Sequence, residues 1–179
     1  MYKFAISSLI YLGTIILVMG IIDTGYVEAR GFSAACPTNL SVVEYLEESI
    51  TQLDAAKQQI QSTPLVDAKG NIFTDTDSGP GKALCPHAKT AYVLLNCAAS
   101  KTTYTDENNK LINDLRFSYK LAIDGITEFS DTYAEVVRMG GKITLLDLVA
   151  AQINAEDLIE MAGLQAEDFI AYCTKGSTC

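Results

Sequence analysis

The chain has 179 residues, a formal net charge of −9, 5 cysteines, 1 histidine and no tryptophan. With no run of Lys or Arg to offset that acidity, nucleic acid and anionic lipid are excluded as partners of the folded part. The length supports one domain with its own core.

Residues 1–29 read as an export signal. Lys3 gives a short positive region, and Phe4 through Ile22 form an apolar run interrupted by Ser7, Ser8, Gly13, Thr14 and Gly20. Val27, Glu28 and Ala29 follow, with small residues where a signal peptidase cuts. An uncleaved membrane anchor is the alternative, because the run reaches roughly the 17 to 25 residues that span a bilayer. A lipidated Cys36 is disfavoured, since a polar spacer separates it from the apolar run. Either main reading puts 30–179 outside the cytoplasm, secreted or periplasmic if cleaved and membrane-anchored if not. Cys36, Cys85, Cys97, Cys173 and Cys179 all lie beyond the signal. In an oxidising compartment they imply disulfides and one leftover thiol, either buried and inert or available for pairing between molecules.

The remainder reads as an all-α, elongated helical bundle of about four main helices, stapled by disulfides. Ser41 and Glu44 form a capping box for the first helix. Its apolar face is Val42, Leu46, Ile50, Leu53 and Ile60, and Pro64 ends it by disfavouring helical geometry in Thr63. Asn39, Leu40 and Ser41 also match a glycosylation sequon. Between this helix and the next, Leu65-Val66 and Ile72-Phe73 flank a turn at Gly70 and Asn71, which predicts a small hairpin. A polar loop follows, and Asp67, Lys69, Asn71, Asp75 and Asp77 make this excursion a candidate partner-contact surface.

The second helix is expected to start near Cys85, with Pro86 in its first turn. Leu84, Ala88, Ala91, Leu95 and Ala98 form its inner face, and these small residues predict close packing against Gly125 of the third helix. That third helix spans 105–141, capped by Thr105 and stopped by Gly140 and Gly141. Leu115, Tyr119, Ala122, Ile126, Phe129, Tyr133 and Val136 recur at helical spacing as an apolar seam. Asp114, Lys120, Asp124, Glu128, Asp131 and Glu135 face solvent. Thr144 and Asp147 open a fourth helix, and the repeated pattern around Gly163 and Leu164 then reads as two short helices or one broken one, with Asn154 able to cap the first.

Chemical constellations are sparse. His87 is the lone histidine and has no nucleophile motif beside it, so a surface or capping role outweighs catalysis. Cys85-Pro86-His87 lacks the second cysteine of a redox motif, because Ala88 stands in its place. Cys85, His87, Cys97 and a C-terminal cysteine lack zinc-site spacing. The run from Asp75 fails as an EF-hand, with Pro86 at the twelfth position. Glu156, Asp157, Glu167 and Asp168 are acids of the type a glycosidase uses, yet acids at helix starts are ordinary. No cofactor or metal is implied. Tyr119 and Tyr133 belong to the core, while Tyr45 and Tyr104 are candidate exposed anchors. The leading expectation is a non-catalytic extracytoplasmic protein that binds or assembles with another protein. The alternatives are a carrier of an apolar ligand between the helices and a small hydrolase using acidic residues.

Cysteine geometry constrains topology. One helix carrying both Cys85 and Cys97 separates their α-carbons by roughly 18 Å, beyond disulfide reach of about 4.4 to 6.8 Å. Antiparallel first and second helices gather Cys36, Cys97 and the C-terminal cysteines at one end. Parallel ones pair Cys36 with Cys85, and Cys97 with Cys173 or Cys179. The parallel arrangement is preferred here because it uses more cysteines and gives the long connection a helix to retrace.

Overall fold

The computed structural model describes residues 36, 39–66, 81–139, 144–176 and 179, omitting the side chains of 81–85 and 137–139. These residues belong to one compact unit, Ala34–Cys179. Residues 1–29, the proposed contact loop and the hairpin beyond Val66 lie outside the described residues.

Among the described residues four helices build the unit: α1 (Val42–Ser62), α2 (Gly81–Lys101), α3 (Asp106–Met139) and α4 (Leu145–Thr174). None of the described helices is long and apolar enough to cross a membrane. Each packs on the next, and α4 closes back on α1. Cross-contacts fix the directions. Between α1 and α2, Gln52 Oε1 lies 2.8 Å from His87 Nδ1 while Ser49 reaches Ala91, so the numbering runs in opposite senses. Arg116 donates to Asn96 at 3.0 Å across the short link between Lys101 and Asp106, and Ser118–Gln165 with Glu128–Asn154 run in opposite numbering, so α3 is antiparallel to both α2 and α4. Lys57 meets Glu160 at 2.6 Å and Gln61 meets Glu156 at 2.9 Å, so α1 and α4 oppose as well. The result is an up-down-up-down bundle.

The preference for parallel first and second helices is overturned. Cys36 is bonded to Cys97 and Cys173 to Cys179, with α-carbon separations of 5.6 and 5.4 Å. These two bridges use four of the five cysteines, and the side chain of Cys85 lies outside the described residues. The inner face of α2 buries Ala88, Ala91, Leu95 and Ala98, and antiparallel packing brings Ala91 to the buried Ser49 of α1. The end of α1 and the start of α2 therefore lie at the same end of the bundle.

Helix α3 follows its seam closely. All seven seam residues are buried and all six named polar ones are exposed. Thr105 Oγ1 accepts from the Asn108 amide at 3.0 Å, capping the start. With 34 residues the helix is about 51 Å long. Both expected capping residues of the other helices also act: Ser41 with Glu44 on α1, and Thr144 with Asp147 on α4.

Three local expectations change. Helix α2 begins at Gly81, a full turn earlier than expected, so Pro86 lies inside it and removes one backbone donor. Helix α4 is continuous through Gly163, because Ile159, Ala162, Ala166 and Phe169 bury on both sides of it and outweigh a glycine cost of about 1 kcal/mol. Asn154 is thus mid-helix, donating to Glu128 at 3.4 Å. Gly125 faces α4 instead of α2: a Cβ there would sit 2.7 Å from Leu158 Cδ1 and 3.3 Å from Ala155 Cα.

The centre of the bundle holds Tyr45, Leu46, Leu53, Leu95, Leu115, Tyr119, Ile126, Phe129 and Ile159, all fully buried. Each such side chain contributes about 1.5 to 3 kcal/mol of transfer free energy. One polar group is threaded through them. Ser49 Oγ donates to the Ala91 carbonyl at 3.0 Å and shares a hydrogen bond with Tyr119 Oη at 2.7 Å, tying α1, α2 and α3.

Candidate functional site

The residues expected to carry chemistry stay apart. Glu156 accepts from Gln61 at 2.9 Å, and Glu167 lies on a shallow recess between α1 and α4. Asp157 and Asp168 are exposed on the same helix. Eleven residues of helix separate the two acidic pairs by about 16 Å, whereas glycosidase carboxylates stand about 5 to 9.5 Å apart. His87 is half-buried and held by Gln52. Among the described residues no group of His, Cys, Asp and Glu could hold a metal ion. Of the two tyrosines expected outside, Tyr104 is 82% exposed, but Tyr45 is fully buried. Lys101 explains the difference: its Nζ sits 5.2 Å from the Tyr45 ring centre and donates to the Leu40 carbonyl, closing the surface there.

The structure instead offers a groove along the seam of α3 and α4, with a volume of about 540 Å³. Its floor is apolar. Leu115 and Phe169 are buried, and Leu111 and Tyr172 are half-exposed. Tyr172 stacks on Phe169 with ring centres 6.0 Å apart. Phe117, 56% exposed, stands on the α3 bank. These positions follow from helical spacing. Leu111, Leu115 and Ser118 share one strip of α3, while Gln165, Phe169 and Tyr172 share the facing strip of α4.

Polar groups in the floor are satisfied. Ser118 Oγ donates to Gln165 Oε1 at 2.6 Å, with the Asp114 carbonyl oxygen a longer second acceptor at 3.2 Å. The banks carry Glu107 and Asp114 on α3 and Asp168 on α4, all exposed, and no basic side chain lines the groove. An apolar floor between carboxylate banks, on a chain of net charge −9, attracts cations and shelters apolar groups at once.

The end of the groove nearest the start of α3 is braced covalently. Tyr172 immediately precedes Cys173, whose bridge to Cys179 holds the following turn. The Cys179 carbonyl oxygen accepts from the Thr103 amide at 2.8 Å and from Thr103 Oγ1 at 3.1 Å. Asn108 Nδ2 donates in turn to the Thr103 carbonyl at 2.8 Å.

A second apolar feature lies on the outer face of α4, where Leu146, Ile153, Met161 and Leu164 are exposed. Asp114, Leu115 and Asp168 were named from the sequence in other roles, but no groove was expected there. A signal existed in Phe117, an aromatic lying off the seam of Leu115 and Tyr119. What was missing was that α4 stands beside it.

Architecture and site together define a disulfide-braced, up-down-up-down four-helix bundle with an open, acid-banked apolar groove. Compared with known proteins, the chain matches no family model, no curated protein and no solved structure. Function must therefore be argued from the site alone.

Proposed function

We propose that this is a non-catalytic extracytoplasmic protein that binds another protein through the groove between α3 and α4. The observation that carries the reading is the accessible aromatic surface of that groove, with Phe117 on its bank and Tyr172 stacked on Phe169 in its floor, on an otherwise acidic chain. Exposed aromatics beside apolar floors are the usual anchors of protein contacts. Two disulfide bonds and the apolar N-terminal run support a working place outside the cytoplasm. The hydrolase alternative is weakened by the separation of its acids. Carriage of an apolar ligand between the helices is weakened by the large side chains, Tyr45, Tyr119 and Phe129 among them, that occupy the bundle centre.

A photo-crosslinking benzoylphenylalanine in place of Phe117 tests the reading. In the extracytoplasmic fraction of the producing cells it should capture one discrete partner, which the same group in place of the exposed Asp131 does not. Equal capture at both positions, or none at Phe117, sinks the reading.

A further inference from the structure

We infer that the occupant of the α3/α4 groove is a short amphipathic helix of the partner, with apolar anchors on one face and Lys or Arg along its flanks. The inference rests on the preceding reading of the groove as the contact surface and adds the chemistry of what lies in it.

Length is the first argument. The lining runs from Glu107 to Ser118 on α3, about 16 Å, and from Gln165 to Tyr172 on α4, about 10 Å. Two to three turns of helix match that extent. The second argument is the floor. Leu111, Leu115, Phe169 and Tyr172 make a continuous apolar strip, which accepts side chains spaced at i, i+3 or i+4, and i+7. Its one polar pair, Ser118 with Gln165, is already bonded to itself and asks nothing of a ligand.

Charge decides the flanks. Carboxylates stand on both banks, Glu107 and Asp114 on one and Asp168 on the other. An acidic or neutral flank would meet repulsion or leave them unanswered, whereas a basic one is drawn in from a distance. Lys and Arg suit the exposed Phe117 for a further reason: their methylene stems cover apolar surface while the charge reaches past it to a carboxylate.

The absence of tryptophan in this chain gives a clean assay. Three synthetic peptides carry one tryptophan and leucines at i, i+3, i+4 and i+7, with flanks of Lys, Gln or Glu. Indole emission then reports the peptide alone. The Lys peptide should bind the full chain at least about tenfold more tightly than the Gln peptide, and the Glu peptide should bind weakest. That preference should shrink at about 0.5 M salt and in the Asp114→Asn, Asp168→Asn double variant. Phe117→Ser should weaken all binding. These three side chains are exposed, so circular dichroism and melting of the variants should match the parent. If the Gln or Glu peptide binds as tightly as the Lys peptide, the basic-helix inference is overturned while the groove stays a contact surface. Binding that ignores all three substitutions, or no binding by any peptide, also overturns it. The groove reading itself falls only if the crosslinker captures nothing at Phe117 or captures equally at Asp131.

Discussion

Tyr119 sits where three helices meet, and its phenol is hydrogen-bonded with Ser49. Burial pushes it up to about 12, from an ordinary value of 10.0. A folded state that holds the proton more tightly than the unfolded chain is fully stable below pH 10 and loses that contribution as pH rises towards 12. In Tyr119→Phe this alkaline loss should be smaller, because the group that causes it is gone. At neutral pH the same change should cost about 1 kcal/mol, through the lost hydrogen bond. Urea unfolding of both proteins at pH 8, 10 and 11.5 checks the two parts together, and parallel pH profiles would refute the first. Gly125 and Gly163 offer a contrast of the same size. A methyl group at Gly125 meets Leu158 and the backbone of Ala155, so Gly125→Ala should destabilise by about 1 to 3 kcal/mol despite better helix propensity. At Gly163 a Cβ meets nothing within 4 Å, so Gly163→Ala should stabilise by about 0.5 to 1 kcal/mol. Denaturant midpoints of the pair should move in opposite directions.

Among the elements, α1 and α4 begin with the same device. Glu44 is held below its ordinary 4.5 by the Ser41 backbone amide, with help from the Ser41 hydroxyl. Asp147 is held below 3.8 by the Thr144 hydroxyl, then by its amide. Both lowered groups support folding above their ordinary values, and that support is lost as pH falls through the lowered ones. The Glu44→Gln, Asp147→Asn variant should therefore show a flatter fall in melting temperature between about pH 5 and pH 3. These capping boxes, like the seam of α3, were legible because each is a local rule: a hydroxyl and carboxylate three apart, or apolar residues at helical period. Helix directions were not. Loop-closure entropy grows so slowly with length that the long α1–α2 connection fits a retracing path and a local excursion nearly equally. Tyr45 failed for a related reason, since the lysine that covers it comes from the far end of α2. The groove needs two elements side by side, and residues such as Phe117 and Tyr172 gain meaning only after α3 and α4 are paired.

At the scale of the molecule, the two bridges are unequal. Cys36 and Cys97 are 61 residues apart in sequence, Cys173 and Cys179 only 6. In the chain-entropy account the first stabilises by about 4 kcal/mol and the second by about 2. Replacing Cys36 and Cys97 by Ser should thus lower the denaturant midpoint more than replacing Cys173 and Cys179. The shorter bridge should matter more for the groove, since it fixes the turn after Tyr172, and its loss should weaken peptide binding at a smaller cost in stability than loss of the longer one. Both bridges have a geometrical consequence as well. Cys36 is tied to Cys97 near the end of α2, and Cys179 to Thr103 in the link that follows. The first and last of the described residues thus return to one corner. Order along the chain becomes separable from order in space. A circularly permuted gene that opens before α2, passes from Cys179 through a short linker to Cys36, and closes after α1 would lay down the same four neighbours in the same directions. In its packing the bundle is a ring, and no helix in it has to come first.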